Sequence, residues 1–209
     1  MYTLFGYRGS GSAAIECALE MADIPYELVS AASWDPATEI SRLESVNPLK
    51  QIPTLVLADG TVVTESAAIL IHLGLEHPGS GLLPSDPVAR AAAVRGLVYI
   101  AANCYSLISI LDFPERYLAE PDDEVNKNLV AGARVRLHAH WDIFARGFIP
   151  NPFLFGRTPG ALDLLAAVVS KWAGTRQYLE ESNKPFSEYL LRVDSHERVK
   201  PVFSRHWDS

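Results

Sequence analysis

Two short motifs in the first third of the chain combine residue types that could hold a small peptide with a free α-amino acid end. Residues 47–55 read NPLKQIPTL, and residues 64–69 read TESAAI. Glu65 can bind an ammonium group, while Ser66 and the free N–H groups at a helix start can bind a carboxylate. A single site for both charges of a zwitterion is hard to explain by packing alone.

Pro53 stands where a strand is expected to begin, so its missing N–H removes no ladder hydrogen bond. If the Ile52–Pro53 peptide bond is cis, the preceding backbone is exposed at a tight turn. An extended peptide could pair with the backbone at that point. The sequence therefore predicts that a peptide ligand adds to this edge as a short strand.

A second polar cluster, GYRGSGSA at residues 6–13, follows the first predicted strand. The run from Gly9 to Ala14 also matches the G-x-G-x-x-A pattern of dinucleotide-binding folds, with Asp35 as a conceivable ribose partner. That fold needs further parallel βα units, whereas this chain continues with a hairpin and then only helices. We therefore expect no bound nucleotide.

Composition excludes several classes of partner. The chain has 209 residues and a formal net charge of -7, which argues against nucleic acid and anionic membrane surfaces. No apolar run is expected to reach transmembrane length, and no signal-peptide layout precedes the first strand. Cys17 and Cys104 are too few for a disulfide framework, and the histidines lack metal-ligand spacing, so we expect no metal and a cytoplasmic location.

Apolar periodicity predicts two domains, residues 1–77 and 86–209, joined by a Pro/Gly/Ser-rich linker at 78–85. The first has the order β-α-β-α-β-β-α, with elements at 2–6, 11–23, 26–30, 38–45, 54–58, 61–64 and 65–77. The second is helical throughout, with helices at 86–117, 122–145, 160–173, 175–182, 186–193 and 196–206. The first of these helices is expected to bend near Asn103 or Pro114. Helix 160–173 is apolar nearly all round, so it is expected to be the buried centre of the bundle.

This arrangement resembles the cytosolic glutathione transferase superfamily over essentially the whole chain, as a serine-type or unclassified bacterial-like member. NPLKQIPTL is similar to the cis-proline motif of that family, and TESAAI to its γ-glutamyl-binding motif. The resemblance implies a thioredoxin-like α/β N-terminal domain and an all-α helical-bundle C-terminal domain. The family's central helix usually begins with Ser or Thr, two residues, then Asp; here Gly160 replaces the hydroxyl and Asp163 is kept.

The resemblance also implies glutathione as the co-substrate. The backbone of Ile52 would pair with the cysteinyl unit beside the cis-proline Pro53, while Glu65 and Ser66 would bind the γ-glutamyl group. The candidates for the glycyl end, or for covering the tripeptide, are Lys50, Gln51 and Trp34.

In this family, thiol activation belongs to the segment between the first strand and the first helix. A hydroxyl donor and the helix N-terminus together lower the pKa of a thiol. Comparison with serine-type classes points to Ser10, and the alternatives are Ser12, Tyr7 or a backbone N–H. Ser12 could instead cap the helix, and Tyr7 could cover the cleft. The cysteine of cysteine-type classes falls near Gly11, so disulfide exchange through an enzyme cysteine is not expected.

Helix 86–117 is expected to wall the other side of the cleft. The predicted electrophile pocket comprises Tyr105, Ser106, Ile108 and Asp112. Tyr105 could stack on an apolar substrate and donate to a developing negative charge, or it could lie in the core or a subunit interface. His206 and Trp207 could cover this pocket or anchor the C-terminus.

The resemblance implies an enzyme that stabilises the glutathione thiolate and adds it to an electrophilic, mostly apolar second substrate. Two alternatives stay open. One is a glutathione-dependent isomerase or reductase, and the other is a non-catalytic glutathione- or hydrophobe-binding protein with a stress or regulatory role. The expected partners are glutathione, a small electrophile and a second copy in a homodimer, without nucleic acid or membrane.

Overall fold

A computed structural model of the protein describes residues 1–120 and 122–207. Its N-terminal part carries a four-stranded sheet and three α-helices. These elements are β1 Tyr2–Gly6, α1 Ser12–Met21, β2 Tyr26–Ser30, α2 Ile40–Val46, β3 Thr54–Val56, β4 Val62–Thr64 and α3 Ser66–Glu76. Each predicted element is present, with ends that differ by one or two residues.

The strand order in the sheet is β2-β1-β3-β4. β1 pairs with β2 in parallel and with β3 in antiparallel fashion, so Leu4 lies between Leu28 and Leu55. β3 and β4 form the antiparallel hairpin expected around Asp59-Gly60. Within the described residues only one strand pair is parallel, so the dinucleotide-binding alternative is wrong, because that fold needs a doubly wound parallel sheet.

The C-terminal part is mostly helical, and its described residues form no strand. Its elements are α4 Pro87–Tyr99, a π-helical segment Ile100–Tyr105, α5 Ser106–Asp112, a 3₁₀ turn Pro114–Tyr117, α6 Asp123–Gly147, α7 Ala161–Val169, α8 Thr175–Ser182, α9 Lys184–Asp194 and α10 Lys200–Trp207. The predicted single helix to residue 117 is too long. The helix ends at Asp112, where Phe113 leaves the helical region ahead of Pro114. The irregularity expected near Asn103 is the π-helical segment.

Helix α1 joins the two parts of the chain. All of its residues from Ser12 to Leu19 are buried. It packs on β1 and α3 from one side and on α7 and α10 from the other. The predicted linker also enters this shared core through Leu82 and Leu83. The two parts therefore share one hydrophobic core, and the predicted domain boundary stays a prediction.

Helix α7 is the buried centre of the bundle, as its apolar sequence predicts, since every residue from Ala161 to Val169 is buried. The Asp163 carboxylate accepts hydrogen bonds from Gly160 N–H (2.9 Å), Leu154 N–H (3.0 Å) and the Tyr189 hydroxyl (2.8 Å). Burial raises the pKa of Asp163 to about 6, while these three bonds act in the opposite direction. Asp163 thus connects the start of α7 to the preceding loop and to helix α9.

The run from Pro87 to Asp112 is long and apolar enough, by length and composition, to cross a membrane, with a mean hydropathy of 1.5. The expectation that no apolar run reaches this length is therefore wrong. Core helices of folded proteins can have the same length and composition as a membrane span. This run packs against α6 and α7. The expected absence of a membrane partner stays a prediction.

Several large apolar side chains on α3 and α4 are exposed, including Leu75 (53%), Val88 (79%) and Val98 (52%). The family resemblance implies a homodimer, and apolar surface on helices 65–77 and 86–117 gives it support in the sequence. The exposed side chains agree with such a surface, and the homodimer remains a prediction.

Replacing Asp163 by alanine is expected to lower the free energy of unfolding by at least about 3 kcal/mol, because it leaves three buried or half-buried donors without an acceptor. Asp86→Ala is the matched control, since the exposed Asp86 caps α4 through a single bond from Ala89 N–H. Its loss is expected to be about 1 kcal/mol. Urea denaturation at neutral pH measures both, and equal losses would contradict the role of Asp163.

Candidate functional site

A cleft with a volume of about 600 Å³ separates the N-terminal sheet region from the π-helical segment and helix α5. It brings together most of the site residues predicted from the sequence. Those that line it are Ser10, Trp34, Lys50, Gln51, Ile52, Pro53, Glu65, Ser66, Tyr105, Ser106, Ile108 and Asp112. The predicted residues Tyr7 and Ser12 lie outside this lining.

The loop before β3 is held by two side chains that the sequence motif contains but whose role it does not reveal. The amide of the buried Asn47 donates to the Gln51 carbonyl (3.1 Å) and to Thr54 Oγ1 (2.9 Å). Thr54 Oγ1 donates to the same Gln51 carbonyl at 2.8 Å. The Ile52–Pro53 peptide bond is cis.

The backbone N–H and C=O of Ile52 have no hydrogen-bond partner among the described residues. Ile52 lines the cleft just before the start of β3. An extended peptide bound there could therefore form main-chain hydrogen bonds with Ile52, as the sequence predicts.

Glu65 precedes α3 in an unusual backbone conformation, with φ of 67°. A non-glycine residue in the left-handed region costs on the order of 1–3 kcal/mol, and such strain clusters at ligand-binding sites. The Glu65 carboxylate and the first turn of α3, which starts at Ser66, both belong to the cleft wall. A cation on the former and an anion on the latter would each meet complementary charge.

Lys50 also has a positive φ, of 54°, and lines the same cleft. Its ammonium group lies 2.8 Å from the Glu44 carboxylate. A ligand carboxylate at this end of the cleft would therefore share Lys50 with Glu44.

The start of α1 carries two serines with different positions. Ser10 lines the cleft, and its Oγ accepts a hydrogen bond from Ser12 N–H (3.2 Å) and shares another with Ser12 Oγ (3.0 Å). Ser12 is the first residue of the helix and is fully buried, so it neither caps α1 nor reaches a ligand. Its Oγ instead contacts the backbone N–H and C=O of Tyr7. The prediction of Ser12 as a direct thiol partner therefore disagrees with the structure.

Tyr7 turns away from the cleft. Its hydroxyl donates to Asp35 Oδ2 at 2.9 Å, and this bond raises the pKa of Tyr7. Its ring packs edge-on against Trp34, which does line the cleft. Tyr7 therefore supports Trp34 from outside the cleft lining, and its predicted roles as a catalytic group or as a lid stay predictions.

Tyr105 reaches across the cleft to the beginning of α1. A β-carbon built on Gly11 would lie 2.5 Å from the Tyr105 Oη and 3.5 Å from Pro53 Cδ. Burial raises the pKa of Tyr105 to about 12, so its hydroxyl keeps its proton at neutral pH and can donate it. The cleft position predicted for Tyr105 thus agrees with the structure.

Trp172 is a cleft residue that sequence reasoning assigned to the apolar face of a buried helix. Its ring meets Tyr105 edge-on at 5.5 Å, and its Nε1–H donates to the Gly9 carbonyl at 3.3 Å. The helix ends at Val169, so Trp172 lies beyond the buried segment. A buried indole N–H usually needs a hydrogen-bond acceptor. A tryptophan in a helix that is apolar nearly all round could therefore have indicated that its N–H is directed away from the core.

The other end of the cleft changes from apolar to polar along α5. Ile108 and Leu165 are buried, whereas Ser106 and Asp112 are exposed. Desolvation raises the pKa of Asp112. The Arg116 guanidinium lies over the Phe113 ring at 3.8 Å. A second ligand in this region would thus meet an apolar inner wall and a charged outer rim.

His206 and Trp207 do not line the cleft. His206 bonds to Gly9, and the Trp207 ring packs on Phe203. The alternative that they hold the C-terminus in place therefore agrees with the structure. Across the described ranges, no group of three or more His, Cys, Asp or Glu side chains could hold a metal ion.

The comparisons with known proteins agree on one family. The family model described as the N-terminal domain of glutathione S-transferase matches residues 1–74. The chain is 32% identical to the glutathione S-transferase GstA of Escherichia coli O157:H7, over 77% of this chain and 76% of that protein. It is 28% identical to the uncharacterized GST-like protein YncG of Escherichia coli K12, over 99% and 98% of the two chains. A probable maleylacetoacetate isomerase of Caenorhabditis elegans is 38% identical over 48% of this chain and 46% of its own length.

Solved structures agree with this result. A glutathione transferase from Methylobacterium radiotolerans in complex with glutathione sulfonate has a TM-score of 0.75 at 26% identity, covering 97% of this chain and 94% of that one. A glutathione transferase homologue from Sulfitobacter with bound glutathione has a TM-score of 0.83 at 22% identity, covering 97% and 96%. The latter likeness shows the fold alone.

The contact between Gly11 and Tyr105 can be tested by a double-mutant cycle. Gly11→Ala is expected to lower the free energy of unfolding by about 1–3 kcal/mol, because the new methyl group would overlap the Tyr105 hydroxyl. In a Tyr105→Phe background the nearest remaining atom of the ring at position 105 would be Cζ at 3.4 Å. Gly11→Ala should therefore lower the free energy of unfolding by about 1 kcal/mol less in that background. Gly132→Ala, at an open position on α6, is the control. Additive losses would contradict the contact.

Proposed function

The chain belongs to the cytosolic glutathione transferase superfamily, and we propose that it binds glutathione and transfers the thiolate to an electrophilic, mostly apolar second substrate. One observation carries the proposal: a single cleft contains Glu65 and Ser66 at the start of α3, the unpaired backbone of Ile52, and Ser10 at the start of α1. These three parts match the γ-glutamyl end, the cysteinyl backbone and the cysteinyl thiol of a γ-glutamyl tripeptide. The relative from Methylobacterium radiotolerans, solved in complex with glutathione sulfonate, supports a ligand of this kind.

Each part of the tripeptide has a complementary group in this proposal. The γ-glutamyl ammonium binds Glu65, and its carboxylate binds Ser66 and the first N–H groups of α3. The cysteinyl unit pairs with the Ile52 backbone as an added strand. Gln51 and Lys50 face the glycyl carboxylate, and Trp34 covers the peptide from the side.

The thiol then lies next to the N-terminus of α1. A free thiol has a pKa of about 8.5, so only a few per cent is ionised at neutral pH. The positive end of α1 and a hydrogen bond from the Ser10 hydroxyl favour the thiolate.

Ser12 supports this role through the orientation of one proton. If the Ser12 hydroxyl donates to Ser10 Oγ, then Ser10 accepts two hydrogen bonds and its own proton is left to point into the cleft. A bound thiolate favours this arrangement over the one in which Ser12 donates to the Tyr7 carbonyl. Ser12 is therefore a positioning residue in the proposal.

The proposed reaction starts from the thiolate, because the thiol proton leaves to solvent when glutathione binds. The sulfur lone pair then forms a bond with an electrophilic carbon of the second substrate. In a substitution the leaving group departs with the bonding electrons, and in a conjugate addition the product carbanion or enolate takes up a proton. Tyr105 stays protonated and lies against Gly11, so it can donate to the negative charge that develops on the substrate.

The similarity to a maleylacetoacetate isomerase supports a second candidate, a glutathione-dependent isomerase. In such a reaction the thiolate adds to a double bond and is expelled after rotation, so glutathione is regenerated. Arg116 on the outer rim could hold a substrate carboxylate, whereas Asp112 on the same rim opposes a dianion. Consumption of glutathione during turnover distinguishes conjugation from isomerisation.

We also propose a reducing cytosol as the location, where glutathione keeps thiols reduced. The two cysteines are buried and free, in agreement with such a compartment.

Glutathione binding is tested by Glu65→Gln. The change removes the charge that pairs with the γ-glutamyl ammonium, and a charged hydrogen bond contributes about 1.5–3 kcal/mol, so affinity should fall by roughly 10- to 150-fold. Calorimetric titration with reduced glutathione measures this fall. Glu76→Gln, at the far end of α3, is the control. A glutathione analogue without the γ-glutamyl amino group should bind Glu65→Gln and the wild type equally, and an unchanged affinity for glutathione itself would sink the assignment.

Thiolate stabilisation is tested by Ser10→Ala. Loss of the hydroxyl donor should raise the pKa of the bound thiol by about 1–2 units, since one hydrogen bond to an anion contributes about 1.5–3 kcal/mol. Glutathione affinity should change little at the acidic end of the pH range, where the thiol binds protonated, and should fall as the pH rises. The measurement is proton release on binding across pH 5.5–9, together with the pH profile of kcat/KM. Ser33→Ala, also in the cleft lining, should leave both unchanged. A thiol pKa that is equal in Ser10→Ala and wild type would contradict the role of Ser10.

A further inference from the structure

We propose that His206, near the C-terminus, is a positioning residue that holds the Gly9-Ser10-Gly11 turn in the geometry needed at the thiol. Its effect on catalysis rests on the proposed function, whereas its effect on the turn can be measured independently. Nothing in the sequence motifs points to this residue, because it lies on α10, far along the chain from the first helix.

Gly9 is held at both of its backbone polar groups by side chains from the helical part. Its N–H donates to His206 Nδ1 at 3.0 Å, across 197 positions of the chain. Its carbonyl accepts from Trp172 Nε1–H at 3.3 Å. Gly9 has a φ of 70°, a region that side-chain-bearing residues rarely adopt. The turn is thus not held by its own local hydrogen bonds alone.

The hydrogen-bond pattern determines which nitrogen of His206 carries the proton. Nδ1 accepts from the Gly9 amide, so the proton resides on Nε2. Nε2–H then donates to Glu16 Oε1 at 2.6 Å. Glu16 and His206 are only 1% and 6% exposed. Glu16 therefore fixes both the ring orientation and the tautomer that Gly9 requires, as carboxylates do for functional histidines elsewhere.

The consequence for chemistry follows from the position of Ser10. Ser10 is the next residue after Gly9, and its N–H donates to the Tyr7 carbonyl at 3.1 Å while its carbonyl accepts from Ala13 N–H at 3.2 Å. Ser10 Oγ cannot keep its place if Gly9 moves. A misplacement of about 1 Å at a reacting group can cost about 100-fold in rate.

The two bonds of His206 can be separated by a matched pair of substitutions. In His206→Asn the side-chain oxygen stands where Nδ1 was and can still accept from Gly9, but the bond to Glu16 is lost. In His206→Gln the terminal amide can still donate to Glu16, but no acceptor faces Gly9. Lys200→Gln, exposed on the same helix, controls for general changes in α10.

The expected result is selective. In His206→Gln, hydrogen exchange of the Gly9 amide measured by NMR should be faster by at least about tenfold. Its kcat should fall by about 10- to 100-fold with glutathione affinity within about threefold of wild type. His206→Asn should keep Gly9 protection and stay within about threefold of wild-type kcat, whatever its loss of thermal stability.

Two results would overturn the proposal. One is an unchanged Gly9 exchange rate in His206→Gln. The other is parallel loss of kcat in both variants in proportion to their stability, which would mean that His206 only anchors α10. If the wild type neither binds glutathione nor turns over an electrophile, the proposed function fails instead, and Gly9 exchange alone decides whether His206 positions the turn.

Discussion

The rest of the structure depends on the burial of helix α1 between the two parts of the chain. A helix buried on every side cannot shift without opening the core, so its first turn is a fixed point. The sheet holds α1 from one side, and α7 and α10 hold it from the other. The cleft lies at the N-terminal end of this helix, where the helix dipole gives a positive end. The geometry of the cleft is therefore determined jointly by both parts of the chain.

Much of the N-terminal part could be predicted from the sequence because its signals are local. Asp59-Gly60 predicts a hairpin, and the order of strands and helices follows from periodicity and short connections. The ligand-facing positions Ile52, Glu65 and Ser66 were predicted as well, since each belongs to a motif whose spacing determines its place. Two of the predicted hydroxyls lie outside the cleft lining for a different reason. Tyr7 is turned away by Asp35, which is distant in sequence, and Ser12 is buried by the packing of α1. Such contacts between distant residues leave no periodic signal.

The same distinction applies to the C-terminal part. The buried helix α7 is visible in the sequence as a run without polar faces, and Asp163 is visible as its only acid. The roles of Trp172 and His206 are not visible, because both act on Gly9 across more than half of the chain. Aromatic and histidine side chains are common in a protein core, so their presence alone indicates packing. Only the directions of their polar atoms show that these two side chains do more than fill the core. In this protein those atoms are directed at a single glycine.

The π-helical segment Ile100–Tyr105 lies at the cleft wall, where Ala101 and Tyr105 line the cleft. A π-turn is a regular helix with one additional residue per turn, and such segments are often found at functional sites. Each α-helical residue advances the direction of a side chain by about 100°. An extra residue in a regular helix would rotate everything after it by that angle, whereas a π-turn absorbs the residue within one wider turn. Deleting a single residue within the segment would therefore restore a regular helix while α4 and α5 keep their faces. Only the residues of the segment itself, Tyr105 among them, would shift relative to the cleft, so a length change here would alter the second-substrate region without repacking the flanking helices.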